Sequence, residues 1–369
     1  MSLVGLPQDQ LDTPALCVDL DALEANIAQV ATICREHKVG WRPHAKCHKS
    51  VEVGRKLLAA GASGLTCAKL GEAEVFAAAG IRDLLIANML AGPEKVRRLV
   101  ELRRIADPIF CVDSIAQAEP VSRAMTAAGL RVRTILEIDI GMHRVGVQPG
   151  EPALALARQV AALPGLEFSG IMGYEGHLLL LEDQAEKARA IGQSLALLTG
   201  THDLLVQNGL PCPIVSCGGT GSLHIAAAQP GITEMQAGGA IFMDAFYRHR
   251  CRVPGFRYAL LVLTTIVSRP APDRAIVDAG RKTMNMELAP PFVLQEGGTP
   301  SRDIEFVTMS AEHGIWKLHG PAQELPIGTR LWVVPGYSDF TTVLHDQFLA
   351  LRDGKVAAIW PLQGRGKLQ

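Results

Sequence analysis

Short apolar segments alternate with longer amphipathic segments over the first two thirds of the chain, and this alternation strongly constrains the fold. From Val39 onwards, eight strand-like segments are separated by segments in which apolar residues recur three and four positions apart. The strand candidates are VGWRP, SGLTCAK, DLLIAN, PIFCVD, VRTILEID, LEFSGIMG, CPIVSCG and ITEMQAG. Such alternation indicates βαβ units and a parallel sheet. Eight repeats predict an α/β fold of the (β/α)8 TIM-type barrel class, with a doubly wound sheet as the lesser alternative.

The pattern changes past about Val253. Strand-like segments such as YALLVLTTIVSR, TRLWVVPG and FLALRDGKVAAIW follow one another there, separated by Pro, Gly and Asp-Gly turn signals. We therefore predict a barrel domain over residues 12–252 and a C-terminal β-rich domain over residues 253–369, and we expect residues 1–11 to join the β-rich domain.

Composition argues against several function classes. The chain of 369 residues has a formal net charge of -1, which gives no electrostatic reason to expect a nucleic acid or a membrane as partner. No apolar run approaches the ~20 residues that span a bilayer, and the first residues lack the pattern of a secretory signal. The eight cysteines are scattered without a CxxC pair, which favours buried thiols in a reducing compartment. We expect a cytoplasmic protein.

Polar residues follow the strand candidates, at the end of the strands where a barrel places its active site. They are His44, Lys46 and His48, then Lys69, Asn88, Asp113, His143, Arg144, Tyr174 and His177, residues 216–222, and Gln236 with Gly238 and Gly239. We expect these side chains to face one pocket. The basic stretch RPHAKCHKS, residues 42–50, would then project into this pocket, whereas the alternative is a solvated loop.

The stretch SCGGTGS, residues 216–222, is the clearest signal for an anion-binding loop. Small residues let backbone N–H groups approach a phosphate, and the loops after barrel strands 7 and 8 often bind one. The pattern is neither a P-loop nor a GxGxxG fingerprint, and an ordinary tight turn is the alternative.

Lys46, at another strand end, suggests pyridoxal phosphate as the cofactor, with this lysine as the Schiff-base residue. The neighbouring cations Arg42 and Lys49 would make its amine a better nucleophile. A lysine that is merely exposed to solvent is the alternative.

Seven motifs in order carry a resemblance to a known family: DTPALCVDLDALEANI, RPHAKCHKS, KLGEAEVFAAAGI, DIGMHRVGV, GYEGH, SCGGTGS and EMQAGGAIFMD. They resemble the D-threonine aldolase and eukaryotic-type D-serine dehydratase family of alanine racemase-like, fold-type III pyridoxal phosphate enzymes. The resemblance runs from about Asp12 to Asp346. It implies a barrel, a C-terminal β domain and a head-to-tail homodimer with the active site between subunits.

The resemblance also implies roles for single residues. Lys46 would be the Schiff-base residue, Arg144 would contact the cofactor ring, and Tyr174 would line the cofactor site. The phosphate would be held by Gly218, Gly219 and Thr220. His44 and Gln236 are assigned to the cofactor site as well.

In the β domain, the resemblance covers the stretch with Asp278 and Lys282 and the EHG stretch, whose His313 would face the substrate. The family binds a divalent metal through His-x-Cys or His-x-Asp. Here Tyr337 occupies the histidine position and Asp339 the second ligand position. A carboxylate suits Mg²⁺ or Mn²⁺, and His313 or His177 could complete such a site. A turn-capping Asp339 is the alternative.

From this family we favour an aldolase that cleaves D-3-hydroxyamino acids, such as D-threonine or 3-hydroxy-D-aspartate, to glycine and an aldehyde or glyoxylate. The expected catalytic residues are Lys46, His177 and His313, with His177 as the base on the substrate hydroxyl or, equally, as a structural histidine. A dehydratase that forms a 2-oxo acid and ammonia is the main alternative. An amino-acid racemase, with Tyr337 as the second base, and a non-catalytic pyridoxal phosphate carrier are the others.

Overall fold

A computed structural model describes residues 3–295 and 297–369, which form two compact units. One unit contains the described residues up to Gln29 together with Gly239–Arg365, and the other contains Val30–Gly238 together with Gly366–Gln369. We call them the β unit and the barrel unit. The domain limits given above, 12–252 and 253–369, stay a prediction.

The secondary structure of the described residues follows the alternation expected from the sequence. The first nine strands are β1 (Ala15–Asp19), β2 (Gly40–Trp41), β3 (Leu65–Cys67), β4 (Asp83–Met89), β5 (Asp107–Val112), β6 (Val132–Glu137), β7 (Leu166–Met172), β8 (Ile214–Cys217) and β9 (Glu234–Met235). The helices are α1 (Leu20–Glu36), α2 (Val51–Ala59), α3 (Leu70–Ala78), α4 (Pro93–Ile105), α5 (Ile115–Ala127), α6 (Glu151–Ala162), α7 (Gln184–Gln207), α8 (Leu223–Ala227) and α9 (Ser338–Thr342). None of these helices combines the length and the apolar composition that a bilayer span requires.

The barrel unit is built from β2 to β9, which pair in parallel in the order β2-β9-β8-β7-β6-β5-β4-β3. A parallel bridge between His44 and Thr66 connects the segment after β2 to β3, and so joins the two edges of the sheet. Side chains from neighbouring strands, such as Leu85, Ile109 and Ile135, form an apolar cluster. The (β/α)8 TIM-type barrel predicted from the alternation is therefore confirmed.

Local sequence signals explain where several barrel helices begin. Ser114 caps α5 by accepting a hydrogen bond from the backbone N–H of Ala116, and Oε1 of Gln117 accepts a hydrogen bond from the backbone N–H of Ser114. Asp183 caps α7 by accepting a bond from the backbone N–H of Glu186. These caps place each helix directly after the loop that leaves a strand end.

The β unit is a nine-stranded sheet built around β1. Its other strands are β10 (Leu260–Ala271), β11 (Arg274–Val277), β12 (Phe292–Val293), β13 (Ile304–Met309), β14 (Gly314–Leu318), β15 (Arg330–Val334), β16 (Gln347–Arg352) and β17 (Lys355–Pro361). Strand β1 pairs antiparallel with β10 and parallel with β16. The β16–β17 hairpin turns through Asp353 and Gly354 at φ values of 51° and 70°, as a type I′ turn requires. The C-terminal β-rich region predicted from the turn signals is confirmed.

Candidate active site

Lys46 follows β2 at the carboxyl end of the barrel strands, in a short 3-10 helix over Ala45–Cys47. His44 precedes this helix, and its Nδ1 accepts a hydrogen bond from the backbone N–H of Lys46 over 3.4 Å. Burial, followed by the charges of Lys46 and Lys49, lowers the pKa of His44 well below its usual value. A neutral imidazole can accept this bond, so the local charge favours the observed geometry.

The Lys46 segment is fixed to the end of β9. The backbone N–H of His44 donates to the carbonyl oxygen of Gln236 over 3.0 Å. A Cβ at Gly238 would lie 2.2 Å from the carbonyl oxygen of His44, so only glycine permits this approach. The Gln236 amide donates to the hydroxyl of Ser216 over 3.0 Å, and that hydroxyl donates to Glu234 over 2.9 Å. The sequence-predicted residues Lys46, His44 and Gln236 therefore lie together.

The other cations of the RPHAKCHKS stretch, Arg42 and Lys49, have carboxylate partners, of which Glu234 and Glu72 are buried and Asp83 is half-buried. Arg42 donates to Glu234 over 2.8 Å and to Asp83 over 2.8 Å. Lys49 forms an ion pair with the buried carboxylate of Glu72. These pairs offset the two charges that we expected to act on Lys46. The charges of Arg42 and Lys49 are therefore offset by these carboxylates, and only the other basic residues of the stretch add positive charge at the strand ends.

The glycine-rich loop lies between β8 and α8 and packs against Tyr174. Gly218 has a φ of 77°, in the left-handed region. A Cβ at Gly219 would lie 3.2 Å from Cε2 of the Tyr174 ring. The Thr220 hydroxyl is buried and has no hydrogen-bond partner among the described residues. A small, tight loop with an unsatisfied buried donor fits a phosphate group. The predicted phosphate residues Gly218, Gly219 and Thr220 thus fit that role.

Arg144 connects the loop after β6 to the same region. Its guanidinium carbon lies 5.8 Å from the centre of the Tyr174 ring, and its Nη2 lies 3.4 Å from Oε1 of Glu137. Burial raises the pKa of Glu137 to about 7, although the neighbouring Arg144 charge lowers it. Sequence reasoning missed Glu137, which is the last residue of β6. The strand-end rule could have identified it.

His177 follows β7 in a 3-10 helix over Gly176–Leu178 and is exposed. Its pKa is lowered by burial of part of the ring and then by His143, against the opposing charge of Asp139. The imidazole is therefore neutral at pH 7 and can accept a proton. Its Nε2 would lie 2.8 Å from a Cβ at Gly141, so glycine leaves room for the ring there.

In the β unit, Tyr337 and Asp339 are buried at the start of α9. The Tyr337 hydroxyl donates to Oδ2 of Asp339 over 2.9 Å, and lies 3.5 Å from the hydroxyl of Tyr247. Asp244 accepts hydrogen bonds from the backbone N–H groups of Tyr247 and Ser338, over 2.8 Å and 2.7 Å. Helix α9 was not anticipated from the sequence.

The remaining sequence-predicted residues of the β unit have other contacts. Asp278 accepts hydrogen bonds from the hydroxyls of Thr13 and Thr264, so it links the segment before β1 to β10. Lys282 forms an exposed ion pair with Glu312 over 2.6 Å. His313 is exposed in the turn between β13 and β14, and its backbone N–H donates to the Ser310 hydroxyl.

The chain is similar to two known families and to curated enzymes. Residues 18–245 match the family described as alanine racemase, N-terminal domain, and residues 259–351 match the putative serine dehydratase domain. The D-threonine aldolase of Arthrobacter sp is 38% identical over 98% of this chain and 95% of its own length. The 3-hydroxy-D-aspartate aldolase of Paracoccus denitrificans (strain Pd 1222) is 34% identical over 99% of this chain and 95% of its own length.

A solved structure gives the same assignment. The crystal structure of D-threonine aldolase from Filomicrobium marinum has a TM-score of 0.95 and 34% identity, and the match covers 100% of both chains. Both the fold and the two matched families thus agree with the resemblance noted in the sequence. The chain therefore belongs to the alanine racemase-like, pyridoxal phosphate-dependent lyases that carry a serine dehydratase domain.

Proposed function

We propose that this protein is an aldolase that cleaves D-3-hydroxyamino acids, of the D-threonine or 3-hydroxy-D-aspartate type, to glycine and an aldehyde or glyoxylate. The observation that carries the proposal is the grouping of Lys46, the 216–222 loop and a neutral His177 at the carboxyl ends of the barrel strands. Support for the reaction type comes from the two aldolases that match almost the whole chain.

The cofactor would be held by this chain's own groups. Lys46 would bind the aldehyde carbon of pyridoxal phosphate, the loop with Gly219 and Thr220 would hold the phosphate, and Arg144 and Tyr174 would face the ring. When bound, this cofactor accepts the electrons released as a bond to the α-carbon of an amino acid breaks. His177 accepts the proton of the substrate 3-hydroxyl through its imidazole, and Lys46 returns a proton to the α-carbon of glycine.

A divalent cation does not fit the described residues in the same way. Among residues 3–295 and 297–369, no group of three or more His, Cys, Asp and Glu side chains is placed to bind a metal. Asp339 instead accepts a hydrogen bond from Tyr337, which stands at the expected histidine position. The proposed reaction therefore involves neither Mg²⁺ nor Mn²⁺.

We also propose a homodimer in the cytoplasm. The dimer follows from the family resemblance. The reducing compartment is supported by the eight cysteines, all of which are buried free thiols. Sedimentation equilibrium tests the dimer, and a monomer at micromolar concentration would contradict it.

The experiment that tests the reaction is a product assay on a panel of D- and L-3-hydroxyamino acids, with pyridoxal phosphate added. An aldolase forms glycine and an aldehyde or glyoxylate in equal amounts from the D isomers. Ammonia with a 2-oxo acid would instead establish a dehydratase. Deuterium entry at the α-carbon of unhydroxylated amino acids, without cleavage, would establish a racemase. K46R is the control, because it removes the amine that binds the cofactor and should abolish product formation.

A further inference from the structure

A buried carboxyl group lies behind the glycine-rich loop and has no part in the chemistry described above. Glu175 follows Tyr174 at the end of β7 and is 0% exposed. Its Oε1 accepts a hydrogen bond from the Ser222 hydroxyl over 2.5 Å. Its Oε2 is buried and has no hydrogen-bond partner among the described residues.

Glu175 is connected through Ser222 to the segment that fits the phosphate. The Ser222 hydroxyl accepts a hydrogen bond from the backbone N–H of Gly219 over 3.2 Å. The loop conformation therefore depends on Glu175, and a change in the charge of Glu175 acts directly behind the phosphate position.

The surroundings of Glu175 contain no compensating cation among its described contacts. Burial raises the pKa of Glu175, although the bonds from Ser222 and the backbone lower it. The ionisable groups nearby are Tyr174 and His177 on its own segment, Arg144 at the Tyr174 ring, and Cys217 on β8. Burial, followed by the charges of Glu175 and Glu234, raises the pKa of Cys217 well above its usual value, so this thiol stays neutral.

A phosphate monoester in the loop would bring nearly two negative charges close to this carboxyl group. In a buried region the two like charges repel strongly, and the carboxyl group can relieve the repulsion by binding a proton. The buried Oε2 is the oxygen available for that proton, since Oε1 already accepts the bond from Ser222.

We propose that Glu175 takes up a proton when the phosphate of the cofactor binds in the 216–222 loop, and thereby couples cofactor affinity to pH. The inference rests on the cofactor assignment in the proposed function. Glu175 acts here as a positioning residue, since it contacts the loop through the Ser222 hydroxyl.

The direction in which cofactor affinity changes with pH follows from a comparison of the protein with Glu175 protonated and with Glu175 ionised. The phosphate raises the proton affinity of Glu175, so the protonated protein binds the phosphate more tightly than the ionised protein. Affinity is therefore highest at low pH and decreases as pH rises toward the value at which Glu175 ionises in the complex. A glutamine at this position is always neutral and can still accept the bond from Ser222.

The test measures binding of pyridoxine 5′-phosphate, which lacks the aldehyde and so does not react with Lys46, to the cofactor-free full chain. Dissociation constants of wild type and E175Q are determined by calorimetry from pH 5.5 to 9. Because the phosphate titrates identically in both experiments, the ratio of the two constants isolates Glu175. We expect wild type to lose affinity relative to E175Q by up to about tenfold per pH unit within part of this range. E167Q, which changes an exposed carboxylate on β7, should follow wild type.

A ratio that stays constant across the range would overturn the coupling, and an aldolase activity retained in the same preparation would show that the proposed function survives. Absence of binding to either protein would overturn the cofactor assignment and this inference together. If E175Q does not fold, calorimetry of wild type at pH 8 in two buffers of different ionisation enthalpy decides the question. Net proton uptake supports the coupling, and no uptake overturns it.

Discussion

The hydroxyl of Tyr337 donates a hydrogen bond to the carboxylate of Asp339, with 2.9 Å between Oη and Oδ2. Both side chains are buried. This bond occupies a lone pair of the carboxylate that a cation would otherwise use, and a neutral phenol is a poor substitute for imidazole as a ligand. We expect EDTA to leave the turnover of D-3-hydroxyamino acids unchanged within error. A loss of turnover that Mn²⁺ restores would contradict this expectation.

The variant Y337H provides the matched comparison. It supplies an imidazole beside the same carboxylate and recreates the His-x-Asp pattern of the family. We expect it to bind Mn²⁺ more tightly than wild type by on the order of tenfold or more, as measured by calorimetry. Y337F, which removes only the hydroxyl, should not gain this affinity.

Asp244 should make stability depend on pH. Burial raises its pKa to about 7, and the Asp339 charge adds to the effect. A carboxyl group with a raised pKa in the folded state binds its proton more tightly there than in the unfolded chain. Its contribution to the free energy of unfolding is therefore complete below about pH 4 and is lost as pH rises to about 7.

Urea unfolding of wild type and D244N between pH 4 and 8 tests this dependence. The free energy of unfolding of wild type should fall relative to D244N by at most about 4 kcal/mol, and the difference should level off above pH 7. The slope is the informative quantity, because asparagine cannot accept both backbone bonds that Asp244 accepts. Parallel curves for the two proteins would exclude titration of Asp244 in this range.

Ionisation of Glu137 should alter the cofactor site near neutral pH. Its pKa is raised to about 7 by burial, and it lies 3.4 Å from Arg144. As pH rises through 7, Glu137 ionises and its attraction for the guanidinium increases. We expect the visible absorbance of the bound cofactor to change with a midpoint near 7 in wild type and to be flat in E137Q. E151Q, at the exposed start of α6, is the control and should keep the transition.

Arg42 should contribute strongly to the stability of the barrel unit. Its side chain is 4% exposed and lies between Glu234 and Asp83. R42A leaves the buried carboxylate of Glu234 without its cation, whereas Asp83 keeps its ion pair with Arg133. We expect the free energy of unfolding to fall by about 3 kcal/mol. R97A removes the exposed ion pair with Glu94 and should change the free energy of unfolding by less than about 1 kcal/mol. Similar losses in the two variants would argue against this role of Arg42.

The barrel strands could be predicted because hydrophobic periodicity is local. Each of the eight candidate segments overlaps one observed strand, from Gly40–Trp41 to Glu234–Met235, and no strand extends more than one residue beyond its segment. Strand-end position then placed Lys46 near Gln236 without any knowledge of contacts, since parallel strands of a closed sheet end on the same side.

The acidic partners could not be predicted in this way. The sequence shows that Arg42 and Lys49 are close along the chain, but Glu234 and Glu72 approach them only in the folded barrel. Glu175 likewise lies inside the GYEGH motif, and nothing local indicates that it contacts Ser222. A charge pattern shows which charged residues are neighbours in the sequence. An ion pair depends on the distance between side chains from different strands and helices in the folded chain.

The pairing of β1 has a consequence for biosynthesis. The strand Ala15–Asp19 leaves the ribosome early, but its partners lie in Leu260–Ala271 and Gln347–Arg352. Its apolar residues and unpaired backbone groups therefore stay exposed until both partner strands have been synthesised. Until then, β1 can pair with other chains. Shielding by a chaperone would therefore matter most before β16 has left the ribosome.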